Sequence, residues 1–373
     1  MGNTPDQDLS RLPHDTSRRN AQGRDGAPRA VSRRQFLKLG AAATAPLLFP
    51  RLNAAAAAEE PTSEVQAPPA PLGRISTWWR QAVRKEPAPD ADVVTWTSRD
   101  QLLPLHGRLT GEAPWPTNPV WYQTEGGYIH SGYVQPVADY PQPEVIAEVP
   151  APGFWAQVSV PWAEARWSPT SAYTAFKLYY GTVYRVVATE FDEEGRAWYR
   201  LKEGISPWRP GPYVPASSVR RITGGQLTPI NPAAPDKWLR IDVGAQTLTC
   251  LEGDTVVFSD RVATGLWGTA TPLGEFRVLY KRHTRRMIGG APGDRYDLPG
   301  VAFPVYFTWS GVAIHGTYWH NDYGRRHSHG CINMPHQSAE WVFRWVNPVA
   351  PYEVYTQDAE PREAGTRVVV VSS

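Results

Sequence analysis

Cysteine is scarce in this chain of 373 residues: there are two, Cys250 and Cys331. Two thiols cannot build a disulfide framework, and a chain this long can bury enough apolar surface without one. No apolar stretch is long enough to be read as a membrane span. The best candidate, running to Leu47, Leu48 and Phe49, is short and interrupted by Pro46 and Pro50. A basic working surface is missing too. The formal charge is +2, but the first forty residues hold eight Arg/Lys against four Asp/Glu, which leaves the rest at −2. That balance excludes nucleic acid as a partner. No cofactor motif is present, and no cofactor is expected.

Ser32-Arg33-Arg34-Gln35-Phe36-Leu37-Lys38, the apolar segment after it and the small-residue run Ala54 to Ala58 have the form of a twin-arginine export signal with a peptidase site. No cysteine lies near the cleavage region, so a lipoprotein anchor is excluded. The expected destination is extracytoplasmic, the periplasm or cell wall. Residues 1–58 are assigned to the signal. Residues 59–90, with Pro61, Pro68, Pro69 and Pro71, read as a stiff extended linker.

The chemistry is concentrated further on. His315-Gly316-Thr317 follows the apolar run Val312-Ala313-Ile314, and Ser328-His329-Gly330-Cys331-Ile332-Asn333-Met334 comes soon after. A cysteine nucleophile attacks as thiolate, so an adjacent imidazole or a helix N-terminus is expected to lower its pKa. His315 at a strand tip supplies the first. Pro335, opening a helical pattern with Trp341, Val342, Trp345 and Val346 on one face, promises the second. Gly330 allows close backbone approach, and successive N–H groups there suit an oxyanion. The residues alone leave two other readings open. His315, His320, His327, His329 and His336 crowd Cys331 as zinc ligands would, although the spacing fits no common zinc pattern. The other reading makes Cys331 structural, paired with Cys250, which ends an alternating strand pattern.

These segments resemble the active-site signature of the L,D-transpeptidase (YkuD-type) family, with Gly324 as the intermediate glycine. The resemblance extends to Trp238 through Val243, Gln246-Thr247-Leu248, Ala263-Thr264-Gly265 and Thr271-Pro272-Leu273-Gly274-Glu275-Phe276, and covers about residues 237–356. It implies a β-sandwich-like catalytic domain, placed at 237–357, with one or two short helices and no metal, followed by a tail, 358–373. It implies a cysteine acyltransferase acting on peptidoglycan stem peptides, which forms 3→3 cross-links with release of D-Ala. Cys331 is the implied nucleophile and His315 the base, oriented by the Gly316 carbonyl. His329 and the N–H groups of Gly330 and Cys331 are implied oxyanion stabilisers. Tyr318, Trp309, Ser328 and Asn333 are taken as substrate-binding, Asn333 standing where many members have arginine. Carbapenems are expected covalent inhibitors and a monomer is expected. An L,D-carboxypeptidase of the same fold and a non-catalytic wall-binding adaptor are the alternatives.

Residues 281–310 read as a lid: Gly289 and Gly290 give hinges, and Lys281-Arg282-His283-Thr284-Arg285-Arg286 gives a basic cluster for stem carboxylates. Tyr306, Phe307, Trp309, Tyr318 and Trp319 are expected to form an aromatic wall that excludes water. Upstream, Trp198-Tyr199-Arg200-Leu201 leading to Tyr213-Val214-Pro215-Ala216-Ser217-Ser218-Val219, with a fainter copy around Trp121-Tyr122 and Tyr133-Val134, resembles bacterial Src-homology-3-like modules. They are placed at 91–150 and 151–225. The chain as a whole is therefore expected to be mainly β, with two small barrels before the catalytic domain. Ten of the sixteen tryptophans fall in residues 78–208. They either fill those barrels or present a platform to the wall polymer.

Overall fold

Leu239 and Ile241 alternate with Trp238, Arg240 and Asp242, the period-two pattern of a strand with one buried face. That strand, Lys237–Asp242, belongs to the first of two five-stranded sheets in the catalytic region. The sheet order is Thr255–Arg261, Thr247–Glu252, Lys237–Asp242, Arg367–Val371, Gly274–Arg277. Its neighbours are antiparallel except for Lys237–Asp242 beside Arg367–Val371, where Leu239 faces Val368. The second sheet runs Ile332–Met334, Ala313–Gly316, Val305–Tyr306, Tyr280–Arg282, Thr356–Asp358. The structure is a computed structural model describing residues 71–373 except 116, 143 and 203–210. The export signal and the first part of the expected linker lie outside the described residues.

Both sheets contribute to one apolar core, which also takes Val342, Phe343 and Trp345 from the helix His336–Trp345. Cys250 lies in that core as a free thiol, so it is not paired with Cys331. Two buried lysines hold the helix C-terminus. Lys281 Nζ donates to Phe343 O and Val346 O at 2.6 and 2.9 Å, and Lys237 Nζ donates to Trp345 O and Ile230 O at 2.8 and 2.9 Å. Cations there satisfy the terminal carbonyls and complement the helix dipole.

Several boundaries differ from expectation. Arg367–Val371, read as tail, is an interior strand of the first sheet, with Val368 and Val370 in the core. Leu72–Ile75 and Gln81–Arg84, read as linker, are strands. The upstream modules are open sheets, not closed barrels. One is the five-stranded order Tyr213–Pro215, Ala197–Lys202, Val183–Phe191, Phe154–Val158, Val219–Ile222. Pro104, Pro136 and Pro215 all sit on edge strands, where a residue with no N–H stops a ladder from continuing. The tryptophans divide between the two readings: Trp121, Trp155 and Trp198 are buried, whereas Trp78, Trp79 and Trp96 are exposed.

The second module shares its core with the catalytic sheets. Trp155, Val183, Ile222 and Leu227 belong to the same apolar cluster as Ile314 and Met334. The Trp155 indole stacks on His283 with centroids 4.5 Å apart, and its Nε1–H donates to Tyr352 O at 2.6 Å. His336, one of the five histidines grouped around Cys331 in the sequence, is buried edge-on to Tyr180. A Cβ at Gly181 would lie 2.7 Å from its ring. The first module meets the loop after His315. Arg74 donates to Tyr318 O, and Asn321 donates through its backbone N–H to Gly132 O and through Nδ2 to Ser131 O.

Two stability predictions follow from this packing. Trp155→Ala removes a core side chain and should cost about 3–5 kcal/mol, read as a fall in denaturant midpoint. Deleting residues 71–225 should leave an insoluble catalytic region, contrary to the behaviour of independently folding modules. Buried Asp322, against Gly132 and Arg325, has its carboxyl raised to about 6 by burial, which Arg325 only partly opposes. Its folded pKa exceeds the unfolded one, so its contribution is complete below pH ~4 and is lost as pH rises through about 6. Asp322→Asn should therefore raise the melting temperature at pH 7.5 and flatten the stability profile between pH 4 and 6.

Candidate active site

Ala313–Gly316 and Ile332–Met334 run parallel, with Ile314 opposite Ile332 and His315 opposite Asn333. Ile314, Ile332 and Met334 enter the core. Alternation then sends Ala313, His315 and Asn333 to the other face, together with Cys331 just before the strand. The histidine and cysteine, well separated in sequence, become diagonal neighbours on one sheet face.

His315 is buried, and its Nδ1–H donates to Gly316 O at 3.0 Å. That bond places the proton on Nδ1 and leaves the Nε2 lone pair as acceptor. Burial pushes the imidazole down to about 4, opposed by the Gly316 carbonyl. Cys331 is partly accessible; its Sγ–H points to Gly311 O at 3.8 Å, and burial raises the thiol to about 11 against the Ala313 backbone. The resting pair is therefore a neutral thiol and a neutral imidazole. The expected lowering of the thiol pKa is absent for a structural reason: a strand and Pro335 separate Cys331 from the helix, which begins at His336.

The nucleophile loop is clamped from both sides. Ala263 and Asn333 exchange backbone hydrogen bonds at 2.9 Å, and Thr264 O accepts from His327 and Ser328 N–H. Thr271 Oγ1 donates to Gly330 O at 2.9 Å and accepts from Gly265 N–H at 3.0 Å. Gly330 has φ 114°, a conformation that L side chains rarely adopt. The Ser328 hydroxyl donates to Cys331 O and accepts from Gly330 N–H at 3.1 Å. Ser328 thus builds the loop, and the Gly330 N–H assigned to the oxyanion is engaged with it.

The remaining expected site residues are dispersed. His329 Nε2 lies 2.5 Å from Asp294 Oδ2, and its ring is 5.0 Å from Tyr296. Asp294 is at the tip of a hairpin, Thr284–Gly289 with Tyr296–Ala302, so the lid is closed onto the catalytic loop. Asn333 is buried, with Nδ2 placed 2.9 Å from His320 Nε2 and Oδ1 without a partner among the described residues. His320 Nδ1 already accepts from Asp322 N–H, so Nε2 carries the proton, and the amide is better turned with Oδ1 accepting. Asn333 is therefore a buried partner of His320 on the base's own face. Tyr318 stacks on Tyr179 of the second module at 5.2 Å. Trp309 is exposed at the rim under Arg362. Of the expected aromatic wall, Trp319 flanks His315 at 5.8 Å, while Phe307 is in the core. Asp294 and Thr271 Oγ1 gave no signal of such roles in the sequence beyond lying in a glycine-rich turn and a family segment. No group of three or more metal-ligating side chains occurs among the described residues.

Residues 236–370 match the YkuD family, the L,D-transpeptidase catalytic domain. Residues 30–50 match the twin-arginine translocation pathway signal sequence, which directs export. Similar proteins include L,D-transpeptidase 1 of Mycobacterium tuberculosis (strain ATCC 25618 / H37Rv), 33% identical over 119 residues, covering 30% of this chain and 47% of that protein. The chain thus spans about half the length of the relative. Among solved structures, the catalytic domain of Enterococcus faecium L,D-transpeptidase is 26% identical with a TM-score of 0.29, covering 36% of this chain and 96% of that one. The structure of M. tuberculosis L,D-transpeptidase 1 is 25% identical with a TM-score of 0.27, covering 36% and 61%. Among the described residues no helix is long and apolar enough to cross a membrane.

A neutral resting pair of Cys331 and His315 has a measurable signature. Thiolate absorbance should be absent at pH 7, and the rate of Cys331 alkylation should keep rising through pH 9. A plateau below pH 7 would show a preformed thiolate–imidazolium pair instead.

Proposed function

We propose that the exported protein is a peptidoglycan L,D-transpeptidase that makes 3→3 cross-links through a Cys331 thioester. The observation supporting this most is the shared sheet face of Cys331 and His315, with the imidazole proton held on Nδ1. As the donor binds, Nε2 of His315 takes the thiol proton while sulfur attacks the carbonyl between the third stem residue and terminal D-Ala. The Cys331 N–H receives the developing oxyanion, and His329 joins it once Asp294 lets go. The C–N bond breaks, His315 returns its proton to the departing D-Ala amine, and a thioester remains. An amine from a second stem then attacks; His315 takes its proton and returns it to sulfur as the C–S bond breaks.

A hairpin closed over the thiol favours an amine acceptor over bulk water. Peptidoglycan stems are the substrate, and a carbapenem enters by the same acylation with no leaving group to depart.

Intact-mass measurement after carbapenem addition should show one adduct, mapping to Cys331. His315→Ala should slow acylation by about 10²–10⁴-fold. With a tetrapeptide stem, D-Ala should appear together with cross-linked dimers. Tripeptide alone would establish hydrolysis, and an adduct on Cys250 would overturn the assignment of the nucleophile.

A further inference from the structure

The lid segment opens with Lys281, Arg282, His283, Arg285 and Arg286, and the fold sorts them. Lys281 faces inward and caps the helix. His283 is buried against Trp155. Arg286 forms a two-bond ion pair with Asp297, at 2.6 and 2.7 Å. Arg282 and Arg285 remain.

Their position follows from register. Lys281 is opposite Val305, and Val305 is opposite Ile314; all three lie on the core side. Alternation therefore puts Tyr280, Arg282 and Tyr306 on the face that carries Ala313, His315 and Cys331. Tyr306 is opposite both Ala313 and Tyr280 and stacks on the latter at 4.4 Å. The Arg282 guanidinium lies 5.4 Å from the Tyr280 ring centre. Its Nε is buried with no hydrogen-bond partner among the described residues. Burial raises the Tyr306 phenol, Tyr280 and Cys331 add to this, and Arg285 and Arg282 oppose it. Cys331 and both guanidinium groups thus act electrostatically on one phenol.

A buried guanidinium nitrogen normally has an acceptor. An acceptor here would lie along the face that starts at the thiol. Strands spaced about 4.8 Å apart put Arg282's strand about 14 Å from that of the nucleophile, a span an extended peptide covers in about four residues. Planar arginines bind carboxylates through paired donors.

We propose that Arg282 and Arg285 form a carboxylate subsite for the acyl donor and select an acidic peptide over its amidated counterpart. This rests on the acyl-transfer reading above and adds the chemical class of donor that the site accepts. The lid base supplies the charge, and the lid tip covers the catalytic loop.

The test uses the full chain and two synthetic donor peptides that differ only in a free or amidated carboxylate upstream of the scissile bond. The wild type should favour the free acid by about 10- to 100-fold in kcat/KM, mainly through KM, the range of a charge-assisted hydrogen-bonded contact. Arg282→Gln and Arg285→Gln should each shrink that ratio, and together bring it near one. Arg285→Lys should restore part of it. Alkylation of Cys331 by neutral iodoacetamide checks that each variant keeps its cleft, and Arg285→Gln, on the lid, stands in if Arg282→Gln fails to fold. An unchanged ratio in variants that alkylate normally would overturn the subsite, as would a wild type indifferent to the two peptides. A wild type that is acylated by neither peptide would overturn the underlying reaction, and the subsite with it.

Discussion

The site depends on one parallel ladder between Ala313–Gly316 and Ile332–Met334. Parallel neighbours need a long connection, and here it is the loop that carries Trp319, His320 and His327 over the base. The ladder puts His315 and Cys331 on the same face, and the core fixes which face that is, because Ile314, Ile332 and Met334 cannot turn outward without losing their burial. A one-residue slip would move His315 into the core and Ile314 into the cleft. The cross-bonds from Ala263, Thr264 and Thr271 oppose such a slip from the neighbouring sheet.

That same burial leaves the resting site uncharged. A dry pocket disfavours both thiolate and imidazolium, so the proton moves only when an electrophile is there to receive the sulfur electrons. The lid contributes to this dryness: the Asp294–His329 contact keeps the hairpin down and occupies the imidazole at the same time. Opening the lid and freeing His329 are one event. A thiol that is neutral at rest is also less exposed to oxidation.

The candidate site was legible because its information is local. The residues around His315 and Cys331, the Thr-Pro segment and the opening hairpin all specify backbone geometry within short windows, and the structure places them as that geometry requires. What sequence could not give depends on distant partners. Lys281 and His283 read as part of a basic cluster for stem carboxylates, but helix carbonyls receive one and the Trp155 indole covers the other. Asn333 reads as a substrate contact until His320 is found beside it. Proline content suggested a linker where two strands form, but Leu72–Ile75 and Gln81–Arg84 themselves hold no proline and lie inside their sheets. The upstream modules were legible as β structure, whereas their fusion to the catalytic core through Trp155, Val183, Ile222 and Leu227 was not. Buried apolar positions show that a residue packs, not against what.

Arg367–Val371 lies between Lys237–Asp242 and Gly274–Arg277 in the first sheet. A ribosome-bound chain lacking Val371 would have two strands facing an empty slot, with Leu239 and Ile241 short of a neighbour. The core cannot close before that strand has emerged, whatever the speed of the local hairpins. Non-local pairings of this kind also fold slowly. A route that threads chains through a membrane as they emerge would separate Lys237–Asp242 from its partner on opposite sides. The twin-arginine signal sends the protein by a route that accepts cargo after folding, so the order of the strands and the choice of export path answer to the same constraint on timing.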